Sequence, residues 1–244
     1  MINLLTNRNT YIFLGIIIII IVMVVLIRSY LKTFVTIKEF PVNAKSNFKV
    51  SSKLIQFSHP HRGLTFTHTF WLYVNDWNYR YMTEKFIINK GEGEGGFSVY
   101  LGAKNNNLYI EFPILHCNRP ERIVYENIPI QKWVNVTIVL ENRYVDLWLN
   151  GKLYHSRHLS NVPNLTPGED MKYLTNGGFS GYLSRIYHYN NNLSKLHIES
   201  IFKMGPVDKN PFVGIIRKIR NVFTSGEEVI KAGEKCFTQI AGNI

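Results

Sequence analysis

"WVNVTIVLENRYVDLWLNG", residues 133–151, decides the class of this fold. In its first half Val134, Val136, Ile138 and Leu140 recur at every second position, the period of a strand with one buried face. Asn142-Arg143 breaks the run, and Val145, Leu147 and Leu149 then resume the same alternation. Asn150-Gly151 closes it with the residue pair preferred in a type I′ hairpin turn, where both central residues need positive φ. The stretch therefore reads as antiparallel strands joined by tight turns.

The same grammar extends in both directions. Upstream, "TFTHTFWLYV" (65–74) alternates Thr and His with aromatic and aliphatic residues. "KFIIN" runs into the glycine-rich "KGEGEGG", and "FSVYLG" leads through "AKNNN" to "LYIEF". Downstream, "GGFSGYLSRIYHYNNNLSKLHIESIF" (177–202) reads as a glycine-hinged strand, an Asn-rich turn and a short Ser-capped helix. Many short strands with frequent turn signals predict a mainly β, antiparallel jelly-roll sandwich over residues 46–204.

The two ends depart from this pattern. Tyr11 to Ile27 is an unbroken apolar run of about 17 residues, roughly 25 Å as a helix. It includes Tyr11, Gly15, Ile16, Ile20, Val25 and Ile27. Its downstream end, "IRSYLKTF", has no small-residue cleavage site, so the run reads as a retained anchor spanning 11–31. Residues 1–10 are then a short N-terminal tail and 32–45 a basic juxtamembrane linker. After Gly205-Pro206, residues 205–244 turn helical in pattern. Phe212, Ile215, Ile216, Ile219, Val222 and Phe223 share one helical face, with Arg217 and Lys218 opposite and Arg220 on the border. Ser225 and Glu228 have capping-box spacing before a second amphipathic run. Such a tail packs on its own domain, lies on a membrane surface or enters a groove of a partner protein.

The formal charge is +11. Residues 1–53 carry seven Lys or Arg against one Glu, and residues 54–204 carry fifteen against twelve. The excess thus gathers around the apolar run, where Arg28, Lys32 and Lys38 would meet lipid headgroups. A nearly balanced globular part argues against a nucleic-acid partner. By the positive-inside rule the N-terminus lies on the lumenal or inner side and the jelly roll on the cytosolic side. Three N-x-S/T sequons, at Asn135, Asn164 and Asn192, point the other way. Two cysteines, Cys117 and Cys236, are too few for a disulfide framework or a cysteine zinc site.

"FTHTFWLYVN", "IPIQKWVNVTIVLENRYVDLWLNGKLYHS" and the stretch at 177–202, in this order, resemble successive signatures of laminin-G-like, concanavalin A-like jelly rolls. The resemblance covers residues 46–204. It implies the sandwich fold, and relatives that include lectins, calcium-dependent receptors, β-glucanases and modules that hold proteins together. Fold alone assigns none of these roles.

Each implied chemistry needs its own residues. A retaining glucanase of this kind needs carboxylates about 5–5.5 Å apart on one strand. The nearest approach, Glu92-Gly-Glu94, sits in a glycine-rich loop, and Glu111, Glu141 and Asp146 stand singly. The chain is therefore expected not to be an enzyme. Calcium would draw on loop oxygens, and Asn75, Asp76, Glu169 and Asp170 are the candidates. Where the family often has an acidic pair after "F-x-G", this chain has Ser184 and Arg185, which counts against calcium. His59-Pro-His61 has a metal-like spacing but no neighbouring Asp, Glu or Cys, and reads as a loop. Trp71, Tyr73, Trp77 and Tyr79 are candidates for stacking a glycan, against the ordinary role of core filling.

These parts together resemble membrane-anchored, laminin-G-like minor capsid proteins of large icosahedral DNA viruses. The expectation is a non-enzymatic structural protein of the virion, without cofactor. It would tether an internal membrane to the capsid shell, with lipid bilayer and capsid proteins as partners and the tail residues Phe212, Ile216, Ile219 and Phe223 in contact. The alternative is a membrane-anchored, lectin-like adhesion protein, and a more distant one a glycosidase-derived domain.

Overall fold

The computed structural model describes residues 8–31, 34–55, 57–59, 63–91, 96–117, 119–165 and 168–207; for 8–10, 25–31, 58 and 59 it describes the backbone alone. The chain divides into two compact units at Val35/Thr36. Lys32, Glu92, Glu94, His61, Cys236 and the tail contacts Phe212, Ile216, Ile219, Phe223, Arg217, Lys218 and Arg220 lie outside the described residues.

The first unit holds helix α1 (Arg8–Leu31), 24 residues long. Its described side chains, 11–24, are apolar and mostly exposed, from Ile17 at 42% to Phe13 at 69%. Gly15 has no heavy atom near the place a Cβ would occupy. Among the described residues no helix is long and apolar enough to cross a membrane. The side chains of Val25, Ile27 and Arg28 lie outside the description.

The second unit is an antiparallel sandwich. One sheet, A, runs in the order β1 (Phe34–Lys38), β14 (Ser180–Tyr189), β5 (Gly63–Asp76), β10 (Trp133–Glu141), β11 (Tyr144–Leu149) and β12 (Lys152–His158). The two-residue β2 (Val42–Asn43) pairs with β14, and β4 (Ser58–His59) with β5. Sheet B runs β3 (Phe48–Val50), β13 (Met171–Tyr173), β6 (Lys85–Lys90), β7 (Phe97–Leu101), β8 (Leu108–Phe112) and β9 (Glu121–Tyr125). The predicted jelly-roll sandwich is present. The residues read as a linker, 32–45, carry β1 and β2, so the sheet begins before the expected boundary at 46. Lys38 belongs to β1: its ammonium lies 4.9 Å from the Phe48 ring centroid, and burial lowers its pKa. It is a half-buried side chain of the sandwich.

Alternation places the core as expected. Val134, Val136, Ile138, Leu140, Val145 and Leu147 are buried, facing Phe66, Phe70 and Leu72 of β5. Sheet A meets sheet B through aromatic contacts, Phe66 on Phe97 at 5.8 Å and His68 on Tyr173 at 6.0 Å. The turn at Asn150-Gly151 has φ of 49° and 74°, as a type I′ turn requires. A Cβ at Gly151 would meet the Phe202 ring at 3.1 Å, so this glycine also admits helix α2 (Lys195–Lys203).

Helix α2 packs on the outer face of sheet A. Ile198 and Ile201 are buried, and Phe202 stacks on Trp71 with centroids 5.6 Å apart. Ser184 Oγ donates to the Pro206 carbonyl at 2.6 Å, and Arg185 Nη1 to the Met204 carbonyl at 2.8 Å. The two residues that stand where the family often has acids therefore clamp the chain that leaves α2. Arg185 is only 1% exposed and sits at a bulge with φ 45°. A cation at a helix C-terminus satisfies carbonyls that the helix itself leaves open. Arg185→Met is expected to cost about 1.5–3 kcal/mol, the worth of a charge-assisted hydrogen bond. It should speed amide exchange in α2 and residues 204–206 ahead of the strands, and unchanged exchange there would refute this clamp.

Candidate functional site

Side chains on the outer face of sheet A fall in rows set by strand register. Trp133 of β10 lies opposite Tyr73 of β5, and Tyr73 opposite Tyr182 of β14. Their intervening neighbours Val134, Leu72 and Leu183 point into the core, so these three rings point outward. All three are half-buried. Tyr73 and Trp133 have centroids 5.3 Å apart at an interplanar angle of 50°, and Tyr73 and Tyr182 6.3 Å apart at 49°. Asn43 of β2 continues the row beyond Tyr182.

The next row toward the helix, Ser184, Trp71 and Asn135, is covered. Trp71 is 4% exposed beneath Phe202, so it is packing, not a ligand platform. Asn135 is fully buried; its amide donates to Thr69 Oγ1 at 3.3 Å and to the Phe70 carbonyl at 3.4 Å. A glycan on that nitrogen is incompatible with this packing, although Asn135-Val-Thr137 is a sequon. Asn164 is exposed, and Asn192 donates to Glu141 Oε2 at 2.8 Å.

The remaining sequence candidates separate. Trp77 and Tyr79 lie in the turn after β5. Lys85 sits over the Trp77 ring at 4.6 Å and Lys45 over Tyr79 at 4.5 Å, while Tyr79 Oη donates to the Gly177 carbonyl. The expected four-ring platform is thus reduced to Tyr73, which gains Trp133 and Tyr182 from other strands. Asp76 Oδ1 accepts the Asn78 N–H at 2.9 Å, and the Asn75 carbonyl accepts from Gln131 Nε2 at 3.5 Å. Asp170 Oδ1 accepts the Ser52 N–H at 3.0 Å and its other oxygen lies 3.8 Å from Lys49 Nζ. The Glu169 carbonyl accepts from Lys90 Nζ at 2.8 Å. Among the described residues no three His, Cys, Asp or Glu gather as a metal site would require.

A concavity of about 250 Å³ lies on the outer face of sheet B between Glu84, Lys104, Asn105, Tyr109 and Arg122. Its polar groups bind each other. Glu111 Oε1 accepts from Tyr100 Oη at 2.8 Å and from Arg122 Nε at 2.6 Å, and Arg122 lies over the Tyr109 ring at 5.3 Å. Burial, then the Glu111 hydrogen bond, push the Tyr100 hydroxyl far up in pKa, so it stays a neutral donor. Glu111 is the shared acceptor of this cluster.

Residues 47–199 match the family model described as the Concanavalin A-like lectin/glucanases superfamily, in a laminin-G-type form. No curated protein matches the chain. Among solved structures, the receptor binding domain of botulinum neurotoxin mosaic serotype C/D is similar with a TM-score of 0.51 and 14% identity, over 70% of this chain and 45% of that one. The botulinum neurotoxin serotype D binding domain is similar with a TM-score of 0.50 and 16% identity, over 58% and 37%. The chain spans less than half the length of these structures, and the likeness is one of fold.

Proposed function

We propose a function from one premise: this chain belongs to the Concanavalin A-like lectin/glucanases superfamily. It is a non-enzymatic, lectin-like recognition module carried on a membrane-anchoring helix, and it holds a saccharide on the row Trp133, Tyr73 and Tyr182. The observation that carries this reading is the row itself. Three outward rings from three strands, supported from below by a packed core, form a surface suited to the apolar faces of sugar rings. Aromatic surface left half-open by a folded domain, with polar neighbours at its rim, is characteristic of a ligand site.

The absence of catalysis in this proposal rests on how the carboxylates near the row and near the concavity of sheet B are employed. Asp76 closes a turn, and Glu111 anchors Arg122 and Tyr100. Anchoring rests on the exposed apolar side chains of α1 and on the apolar sequence that continues to Ile27. A tether to a capsid shell, expected first from the sequence, draws on the tail 205–244 and on the charged flanks of the apolar run. The half-buried aromatic row of the described sandwich favours the lectin reading instead.

The test is binding of the full chain, held in detergent or a nanodisc, to an array of soluble saccharides. Trp133→Ala and Tyr73→Ala should each weaken the best binder about tenfold, since losing one stacked ring costs about 1.4 kcal/mol or more. Their melting temperatures should stay within a few degrees of the parent. A parent that binds no saccharide, or variants that bind as well as the parent, would sink the proposal.

A further inference from the structure

We infer that the loop between β5 and β6, residues 77–84, is a docking tip for a second, anionic membrane surface. Tyr81 and Met82 enter the lipid interface, and Lys45, Arg80 and Lys104 meet the headgroups. The row Trp133, Tyr73 and Tyr182 takes no part in this contact.

The first support is an apolar tip that the backbone holds open. Tyr81 is 54% and Met82 57% exposed, two adjacent large side chains that the folded unit leaves in solvent. Two tight turns fix them there. The Tyr81 N–H donates to the Asn78 carbonyl at 3.1 Å, and the Thr83 N–H to the Arg80 carbonyl at 3.1 Å. Thr83 Oγ1 donates to that same carbonyl at 2.7 Å, and the Met82 N–H reaches across to the Ala103 carbonyl at 3.0 Å. Arg80 and Met82 hold φ of 54° and 69°, a left-handed backbone that is unfavourable for residues with a Cβ. Strain is thus carried at a place where the side chains add nothing to the core. Tyrosine settles at the headgroup level of a bilayer, and the unbranched thioether of methionine adapts to an irregular apolar surface.

The second support is charge. Lys45, Arg80 and Lys104 are all exposed. Lys45 lies over the Tyr79 ring at 4.5 Å, Arg80 precedes Tyr81, and Lys104 follows the Ala103 that holds Met82. Among the described residues none of these three cations makes an ion pair. A fourth, Lys85, lies over the Trp77 ring at 4.6 Å; burial first and the Arg80 charge second lower its pKa. The neighbouring acids are otherwise placed. Asp76 accepts the Asn78 N–H, and Glu84 lines the concavity of sheet B with Arg122. An apolar tip among unpaired cations matches a bilayer with anionic headgroups, where each Lys or Arg near the surface adds to binding.

The third support is where the loop stands in the unit. The chain enters along β1, and Glu39 at its end accepts from Tyr187 Oη at 3.1 Å. Asp76, just before the loop, pairs with Ser180 at the start of β14. Chain entry and tip are therefore at opposite ends of β14.

The experiment holds the full chain in nanodiscs of phosphatidylcholine and measures cosedimentation with dense vesicles. One set is phosphatidylcholine alone; the other is equal parts phosphatidylcholine and phosphatidylserine. Affinity should be about tenfold or more higher for the anionic set, as several cations at the surface imply. Arg80→Ala and Lys45→Ala should each weaken it about fivefold, the effect of one cation near such a surface. Tyr81→Ser combined with Met82→Ser should weaken it about tenfold or more by removing the apolar tip. Leu196→Ser, exposed on α2, is the control that should change nothing. No capture by either set would overturn the inference and leave a protein as the partner of the tip. Equal capture by both sets would overturn it too, as would anionic capture that the Tyr81 and Met82 double variant leaves unchanged. None of these outcomes touches the saccharide reading.

Discussion

Replacing Gly181 by alanine is expected to prevent the sandwich from forming at physiological temperature. Gly181 lies on β14 at a register shift against β5, where the two backbones come unusually close. A Cβ built there would stand 1.9 Å from the Tyr73 carbonyl oxygen and 2.8 Å from Phe179 Cε2. The obstructing atom is backbone, so no rotamer change relieves it, and the two strands must part. Strain of this kind belongs among the rare substitutions that cost more than about 4 kcal/mol. A domain whose total stability is about 5–15 kcal/mol survives that poorly. The same change separates Tyr182 from Tyr73, so surviving folded protein should also lose saccharide binding. Chemical denaturation and far-ultraviolet circular dichroism decide the matter: a variant that melts within a few degrees of the parent would disprove the close approach.

Acidification is expected to weaken the same core at a different point. His68 is fully buried between the sheets, with Nδ1 3.4 Å from Nδ1 of His188 and Nε2 3.3 Å from Tyr173 Oη. Phe57 and Phe66 pack on His188, and Lys90 lies over the Phe57 ring, so the nearby cation adds no support for a second positive charge. Burial first, and His188 second, push the His68 pKa well below its ordinary value. In the unfolded chain a histidine takes up its proton near pH 6.5. The neutral buried form therefore contributes its full stability above about pH 6.5, and that contribution declines as pH falls toward the lowered folded-state value. At pH 5 this residue therefore favours the unfolded state relative to pH 7.5, and the melting temperature should be lower there. His68→Phe should remove that part of the slope between pH 6.5 and 5 even where it lowers stability throughout. A melting temperature that is flat from pH 7.5 to 5 would show that His68 is not held neutral.

Both effects illustrate why part of the site was legible in the sequence and part was not. The alternation at 65–74 and 133–140 gave the faces correctly, because a strand's two-residue period is local. It put Trp71 and Tyr73 on one face, and there they are. It carried no sign that Phe202, far later in the chain, would cover Trp71 and leave Tyr73 open. Trp133 and Tyr182 escaped notice as ligand residues because each stands among other aromatics and only pairing with β5 aligns them. The signal that could have found them is the register implied by tight hairpins and by the glycine hinge before Tyr182. The early strands β1 and β2 were missed for a related reason: segments of five and two residues beside a long apolar run carry too little pattern to stand out.

The sequence by itself determined the antiparallel β class, the Asn150-Gly151 turn, the short helix after "NNN", and the apolar N-terminal helix. Each comes from local chemistry: side-chain period, positive φ and hydropathy. The tertiary structure alone decided which aromatic rings stand in a row, which are buried by α2, and that Ser184 and Arg185 clamp the chain leaving α2. Those outcomes depend on pairings between residues tens to more than a hundred positions apart, where one residue of slip would turn every ring to the opposite face.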